Sequence, residues 1–215
     1  MSRCRASRAA LALALTVVLA GMAAGGAGAQ TAPPSSPPLP CKSRAVGKPW
    51  HGRLVCGVQL PALGSTFTTW DFPLGVSPNE DWRRWGTAEL VSTIESIAAD
   101  YQVRFGPGAR LVIGDLSRPR GGAFGEKFGG VGHASHQNGR DVDIFYPRRD
   151  GLEQPATRPS QVDRLRAQWL VNRAARSAES VFIGEHVGLK RRFKRVQYLP
   201  LYHENHLHVR IPQPR

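Results

Sequence analysis

The chain has 215 residues, of which 41% are hydrophobic, and a formal net charge of +13 at pH 7. A chain of this length can bury a hydrophobic core. The length favours one domain, with room for a small appendage. The excess of Lys and Arg favours an anionic partner. The densest basic run, residues 190–195, is typical of a solvated face, with a dedicated binding patch as the alternative.

The N-terminus has the pattern of a secretory signal peptide over residues 1–29. Three arginines precede a largely apolar stretch, 9–24, and Ala27-Gly28-Ala29 is typical of a cleavage site. An uncleaved membrane anchor is the alternative, but the stretch is alanine-rich and shorter than the roughly 20 residues of a good span. We therefore expect a periplasmic or otherwise exported protein of the cell envelope, with no stable membrane insertion after cleavage.

Residues 30–40 are rich in proline and serine, which predicts an extended tether, and the folded domain is predicted over 41–215. If Cys4 leaves with the signal peptide, Cys41 and Cys56 are the only cysteines in the exported chain. In an oxidising compartment these two residues could form a disulfide, and two unpaired thiols are the alternative.

Two amphipathic helices are predicted within the domain. Apolar residues at helical spacing predict the first over residues 87–101, with Thr87 as its N-cap. Ser160 and Asp163 form a start that resembles a capping box for the second. The apolar stripe predicted for this second helix consists of Val162, Leu165, Trp169 and Leu170.

Short strands alternate with these helices. They are predicted at 111–113, 141–144, 180–183 and 207–211, and a glycine-rich loop is predicted over 117–131. This order predicts an α+β fold, in which a small, mainly antiparallel sheet is flanked by helices and carries the functional site on its open face.

Five of the seven histidines lie in two short segments, 132–146 and 202–211, about sixty residues apart. Such a distribution indicates a metal site, and no cysteine lies near either segment. A structural zinc ion is usually enclosed by cysteine-rich ligands. Three ligands drawn from imidazole and carboxylate groups, with a fourth position open, are instead typical of a catalytic zinc ion.

Strand periodicity shows how the two segments could meet. Asp141 and Asp143 share one face of the predicted strand, and the turn before it lets His136 fold back beside that face. His206 and His208 likewise share one face of the last strand. Spacing alone leaves Asp141 and Asp143 as competing carboxylates, and it leaves His206 either as a ligand or as a base beside the metal ion.

Other polar residues lie near these segments in the sequence. For His133 and His203, a direct role and a supporting role remain equally open. Ser135 and Asp115 are candidates for a place beside the metal ligands or the substrate, with ordinary loop hydrogen bonding as the alternative. The sequence has no Ser-x-x-Lys, Gly-x-Ser-x-Gly, phosphate-binding loop or His-Glu-x-x-His motif, so a serine nucleophile is disfavoured.

These motifs resemble the penicillin-insensitive murein endopeptidases, within the superfamily named for lysostaphin, D-Ala-D-Ala metallopeptidases and sonic hedgehog. The superfamily pattern His-x6-Asp is present as His136 and Asp143, and His-x-His as His206 and His208. The narrower family is suggested by four blocks: Arg-Trp-Gly at 84–86, VIGDLSRPRGG at 112–122, GHASHQNGRDVDI at 132–144 and HENHLHVRI at 203–211.

The resemblance implies one catalytic zinc ion bound by His136, Asp143 and His208, with a second ion left open. It favours Asp143 over Asp141 and implies that His206 is the catalytic acid–base residue. It also implies that His133 and His203 line the site. The chain departs from the family pattern at Asn205, where an aspartate is expected beside the catalytic histidine.

The implied reaction is hydrolysis of the peptidoglycan cross-link between D-alanine and the side-chain amine of meso-diaminopimelate. Three alternatives remain: a D,D- or L,D-carboxypeptidase of the same superfamily, a non-catalytic zinc module that binds the wall, and a metal-dependent nuclease. The basic charge would allow the nuclease, but the predicted export argues against a nucleic-acid partner. The sequence does not indicate an oligomeric state.

Overall fold

The computed structural model describes residues 41–130 and 132–213. The predicted signal peptide, 1–29, and the predicted tether, 30–40, lie outside the described residues, so both remain predictions. Among the residues that are described, no helix combines the length and apolar character needed to cross a membrane.

The described part of the chain contains ten strands and two α-helices. The strands are β1 (Arg44–Lys48), β2 (His51–Val55), β3 (Val58–Gln59), β4 (Phe67–Thr69), β5 (Trp85–Gly86), β6 (Leu111–Ile113), β7 (Asp141–Phe145), β8 (Ser180–Ile183), β9 (Val196–Tyr198) and β10 (His206–Arg210). The helices are α1 (Ala88–Phe105) and α2 (Arg164–Ser177).

A six-stranded sheet with the order β4-β6-β7-β10-β8-β9 forms the centre of the fold. Its three central pairs are antiparallel, which confirms a mainly antiparallel sheet in an α+β fold. The two edge pairs, β4 with β6 and β8 with β9, are parallel. The prediction missed both edge strands, each of which has only three residues. Parallel neighbours need a crossover connection, and α1 lies in the connection between β4 and β6.

Helix α1 packs its apolar stripe into the core beneath the sheet. Leu90 and Ile94 are fully buried in one cluster with Val142 and Ile144, which point from β7 to the helix side. The predicted N-cap is confirmed, because the Thr87 hydroxyl accepts a hydrogen bond from the Leu90 amide at 3.2 Å. The sheet therefore buries its apolar face against the helices and leaves the opposite face to the polar residues of β7 and β10.

Helix α2 begins later than the capping-box prediction required. Ser160 lies in a short 3-10 turn, and Asp163 is the N-cap, whose carboxylate accepts hydrogen bonds from the amides of Leu165 and Arg166 at 3.1 Å. The predicted stripe is wrong at Leu165, which is 70% exposed. The buried face is formed by Ala167, Leu170, Val171, Ala174 and Ala175.

Replacing Asp163 with alanine should lower the free energy of unfolding by about 1 kcal/mol, because two amides at the start of α2 lose their acceptor. Chemical denaturation of the purified protein measures this change. Ser160→Ala is the matched control and should leave the midpoint unchanged. A larger effect at Ser160 than at Asp163 would contradict the assignment of the cap.

A disulfide between Cys41 and Cys56 encloses the β1–β2 hairpin. The pairing predicted from the sequence is therefore confirmed. The hairpin also contacts the loop that carries the first histidine segment, because the Gln137 amide donates to the Pro49 carbonyl at 2.9 Å and Asn138 Nδ2 donates to the Gly47 carbonyl at 3.1 Å. The disulfide thus restrains a hairpin that supports the site.

Replacing Cys41 with serine should lower the free energy of unfolding by about 3 kcal/mol, because the disulfide closes a loop with a sequence separation of 15 residues in the unfolded chain. Denaturation with and without a thiol reductant measures this effect. The reductant should destabilise the unmodified protein by a similar amount and should not affect Cys41→Ser. Equal stability of the oxidised and reduced unmodified protein would contradict the prediction.

Candidate functional site

Strands β7 and β10 bring the two histidine segments together. In their antiparallel register His208 lies opposite Asp143, and Arg210 lies opposite Asp141. Strand alternation therefore places the polar side chains of both strands on one face, as the sequence predicted. His136 reaches the same face from the preceding loop, where it adopts a positive φ of 64°.

This face of the sheet is covered, which corrects the prediction of an open face. His136 is completely buried, and Asp143 and His208 are each only 6% exposed. Part of the cover comes from the glycine-rich loop, whose buried Phe124 ring lies 4.9 Å from the His133 ring and 6.3 Å from the His136 ring, between centroids. The glycines of this loop indicated a turn-rich segment, but not that it folds back over the sheet.

Three ligand atoms form a nearly equilateral triangle at the centre of the site. Asp143 Oδ1 lies 3.4 Å from His136 Nε2 and 3.1 Å from His208 Nδ1, and the two nitrogens are 3.2 Å apart. Tetrahedral ligands bound to zinc at about 2.0–2.1 Å are separated by roughly 3.3 Å. Asp143 Oδ1 is also buried without a hydrogen-bond partner in the described chain. These atoms therefore fit a small divalent cation.

A second grouping shares two of these residues. In this grouping, three ligand atoms lie within 4.8 Å of one another, one each from His133, His136 and Asp143. His133 Nδ1 is 3.7 Å from Asp143 Oδ2, whereas His133 Nε2 is 2.8 Å from Asp115 Oδ2. His136 and Asp143 thus belong to both groupings, and the third position has two candidates, His133 and His208.

Asp141 faces away from the triangle and is fully buried. Its Oδ1 accepts from Arg210 Nε at 2.7 Å and lies 3.2 Å from His208 Nε2, while Oδ2 accepts from the His136 amide at 2.9 Å. Burial alone would raise the pKa of Asp141, but its hydrogen bond to His208 and the nearby positive charge hold that pKa well below its usual range. Asp141 therefore orients two candidate ligands from behind.

The hydrogen bonds of the two histidines determine which nitrogen atoms face the centre. His136 Nδ1 donates to the Leu116 carbonyl, so Nε2 keeps its lone pair. Burial alone would lower the pKa of His208, but the carboxylates of Asp141 and Asp143 beside it raise that pKa to about 9. Two carboxylates therefore attract positive charge to this point, as a cation site requires.

His206 and His203 lie on one side of the triangle. His206 Nε2 is 3.6 Å from Asp143 Oδ1, and His206 Nδ1 donates to Asn205 Oδ1 at 2.7 Å. Burial lowers the pKa of His206 to about 4 and that of His203 to about 3, so both rings are neutral at pH 7. The His203 ring lies 4.8 Å from that of His206, between centroids, and its buried Nδ1 has no partner in the described chain.

Asp115 is at the centre of a buried polar network beside the site. It accepts hydrogen bonds from Asn79 Nδ2 at 2.9 Å and from Arg83 Nη1, and it faces His133 Nε2. Sequence reasoning placed Asp115 and His133 near the site but missed Asn79 and Arg83. The sequence indicated these two residues only by their position close to the 84–86 block. Arginine and asparagine are mostly exposed in proteins, so their burial was not expected.

Ser135 is half-buried. It precedes His136 directly, so it stays close to the site in the chain. Its suggested role beside the ligands or the substrate remains a prediction.

The fold and the site together define an α+β domain with a covered His/Asp cluster suited to binding a metal ion. The model of the penicillin-insensitive murein endopeptidase family matches residues 45–196, and the chain belongs to this family of peptidases. The resemblance found in the sequence is thereby confirmed. The matched range includes His136 and Asp143 and ends before His203.

Curated relatives carry the same description. Proteins of Salmonella paratyphi B, Salmonella newport and Salmonella heidelberg, each called a penicillin-insensitive murein endopeptidase, are 35% identical to the chain over 133 residues. The matched segment covers 62% of this chain and 41% of each relative. The chain therefore spans less than half the length of these relatives.

Proposed function

We propose that the protein is a zinc-dependent murein endopeptidase that hydrolyses the cross-link between D-alanine and meso-diaminopimelate in peptidoglycan. Membership of the family supports the reaction class. The observation that carries the metal dependence is the buried Asp143 Oδ1. This oxygen has no hydrogen-bond partner among the residues that the structure describes, and it lies 3.1–3.4 Å from two imidazole nitrogens. A cation would satisfy this oxygen, whereas an empty site would leave it desolvated.

His136, Asp143 and His208 form the proposed ligand set. Their three atoms are separated by nearly equal distances, and both histidines are oriented by acceptors on their far side, the Leu116 carbonyl and Asp141. A carboxylate behind a ligating histidine is the usual arrangement at zinc sites. His133 fits less well as the third ligand, because its Nε2 is paired with Asp115 and its Nδ1 is more distant from Asp143.

Two imidazoles and one carboxylate, with a fourth position open, suit a catalytic zinc ion. When bound, zinc supplies Lewis acidity, which polarises an amide carbonyl and makes water more acidic. The chain contributes the orientation of the ligands and their burial, since His136, Asp143 and His208 are at most 6% exposed. In this environment the charges of the site are poorly screened and act strongly on a bound amide.

His206 is the proposed proton-transfer residue. Because Nδ1 donates to Asn205, Nε2 carries the lone pair and faces Asp143 Oδ1 across 3.6 Å. His206 Nε2 can therefore accept a proton from the attacking water and deliver it to the nitrogen of the leaving amine. Asn205 in place of the aspartate of the family pattern still fixes the tautomer, although it adds no negative charge. His203 and His133 complete the walls around the reacting group.

Peptidoglycan is the proposed partner, and the cell envelope is the proposed location. The Cys41–Cys56 disulfide is typical of an oxidising compartment, and the excess of Lys and Arg over Asp and Glu favours an anionic wall. The predicted signal peptide would account for export. Nucleic acid is not part of the proposal.

Removal of the metal ion should abolish the activity. Purified protein is expected to cleave a cross-linked muropeptide dimer into monomers, and a chelator should lower the rate by about a hundredfold or more because the Lewis acid supplies several kcal/mol. One equivalent of Zn²⁺ per chain should restore the rate. Chromatography of the products and elemental analysis measure both effects. Penicillin should not inhibit the reaction.

The products separate the alternatives. Release of a terminal D-alanine from an intact dimer would indicate a carboxypeptidase, and zinc binding without cleavage would indicate a non-catalytic wall-binding module. Metal-dependent cleavage of DNA, with no action on the dimer, would indicate a nuclease. Full activity after complete removal of zinc would overturn the proposed metal dependence.

A further inference from the structure

Exposed apolar side chains are concentrated in two loops next to the site. The first loop, 72–76, follows β4, and the second, 199–202, follows β9. We call their six apolar side chains the apolar rim, and each is between 42% and 80% exposed: Phe72, Leu74, Val76, Leu199, Leu201 and Tyr202. Apolar side chains that remain in solvent gain nothing from burial, so these two loops are a candidate binding surface.

Each loop of the apolar rim is linked to the surroundings of His206. The Phe72 ring stacks 6.0 Å from that of Phe145, and the Phe145 ring lies 5.9 Å from that of His206, between centroids. In the second loop, Tyr202 directly precedes His203, whose ring lies 4.8 Å from that of His206, between centroids. Both loops therefore lie close to the proposed proton-transfer residue.

The first loop is held in place by buried hydrogen bonds, so its exposure does not result from fraying. Asp71 exchanges backbone hydrogen bonds with Val76, and Asp71 Oδ1 accepts from the Leu74 amide at 2.9 Å. Asp71 is fully buried, and its Oδ2 lies 3.5 Å from Arg83 Nε, in the network that contains Asp115. The fold thus fixes this turn while leaving its apolar side chains in solvent.

The second loop carries an additional conformational cost. Leu201 has a φ of 85° and is 80% exposed. A branched side chain with positive φ is unfavourable, and an exposed leucine gains nothing from the core. Strained residues of this kind are concentrated at functional sites. Leu201 is therefore better explained by a ligand than by the stability of the fold.

We propose that the apolar rim binds the alkyl groups of the cross-linked wall peptide, namely the alanine methyl groups and the methylene chain of the diamino acid. This inference rests on the proposed function. Both loops, FPLGV at 72–76 and LPLY at 199–202, lack charged residues in a chain that is 21% charged. A polyanion would require cationic contacts, whereas methyl and methylene groups require uncharged apolar surface.

Contacts of this kind bind the substrate at a distance from the scissile bond. They hold the substrate and the transition state equally, so their loss raises KM and leaves kcat nearly unchanged. Leu74 and Leu201 are the residues best placed to test this, because each is at least 61% exposed and neither belongs to the proposed metal or proton-transfer group.

The test compares Leu74→Ser and Leu201→Ser with Leu165→Ser, an exposed leucine of α2. With the soluble muropeptide dimer, KM should rise about tenfold in each rim variant while kcat changes less than twofold, and Leu165→Ser should match the unmodified protein. Zinc content and the unfolding midpoint should be the same in all four proteins. If the unmodified protein cleaves nothing, equilibrium binding of the same dimer replaces KM.

Unchanged affinity in both rim variants would overturn the inference while leaving the proposed function intact. Absence of cleavage by the unmodified protein would overturn the proposed function, but weaker dimer binding by the rim variants would still support the rim. Binding to phosphatidylglycerol vesicles is measured in parallel. If the variants lose vesicle binding and retain dimer affinity, the rim binds a lipid surface and the inference is wrong.

Discussion

Asp143→Asn should lower kcat/KM for the muropeptide dimer by about a thousandfold or more and should remove zinc from the purified protein. The substitution keeps the size and shape of the side chain but removes the negative charge between His136 and His208. A metal ion supplies several kcal/mol of transition-state stabilisation, and each 1.36 kcal/mol corresponds to a factor of ten. Elemental analysis and steady-state kinetics on the same preparation measure both losses.

Two other aspartates provide the controls for this variant. Asp141→Asn should weaken zinc binding by about 10- to 100-fold without abolishing it, because Asp141 orients His208 and His136 from behind. Asp150→Asn changes an exposed carboxylate paired with Arg148 and should have no effect on zinc. If Asp141→Asn lost all zinc while Asp143→Asn retained it, the carboxylate ligand would be Asp141, the alternative that sequence spacing left open.

The shared face of the polar side chains on β7, and likewise on β10, could be predicted from the sequence because strand periodicity is a local property. Alternation in 141–144 and 206–211 determines which side chains share a face, and this holds regardless of the neighbouring strands. The same reasoning placed His136 beside that face, because the turn after it reverses the chain. What periodicity could not provide is the distance from Asp143 to each nitrogen, which depends on the register between strands distant in sequence.

The cover of the site and its supporting network depend on tertiary contacts that leave no periodic signal. Phe124 belongs to a glycine-rich loop, and nothing local indicates that its ring packs on His133. Arg83 would ordinarily be assigned to the surface, but here Asp115 and Asp71 compensate its burial. For the same reason the predicted apolar stripe of α2 wrongly included Leu165. The sequence gives the approximate apolar side of the helix, but only packing against the sheet shows which residues at the edge of that side are buried.

His206→Ala should retain zinc and lose most of the activity, and this combination distinguishes proton transfer from metal binding. We expect kcat to fall by about 10²- to 10⁴-fold, the range associated with loss of a general acid–base residue. The three proposed ligand atoms remain in place, because His206 Nε2 is 3.6 Å from Asp143 Oδ1, farther than either proposed ligand nitrogen. Zinc content is measured together with kcat on the muropeptide dimer.

His186→Ala is the matched control, because His186 is exposed and its Nδ1 pairs with Glu204 rather than with the site. This variant should match the unmodified protein in both zinc content and kcat. Full activity of His206→Ala would transfer the proton-transfer role to His203 or His133, the other two imidazoles around the triangle. Complete loss of zinc from His206→Ala, in place of the 10- to 100-fold weakening expected for a residue that only orients ligands, would instead make His206 a ligand.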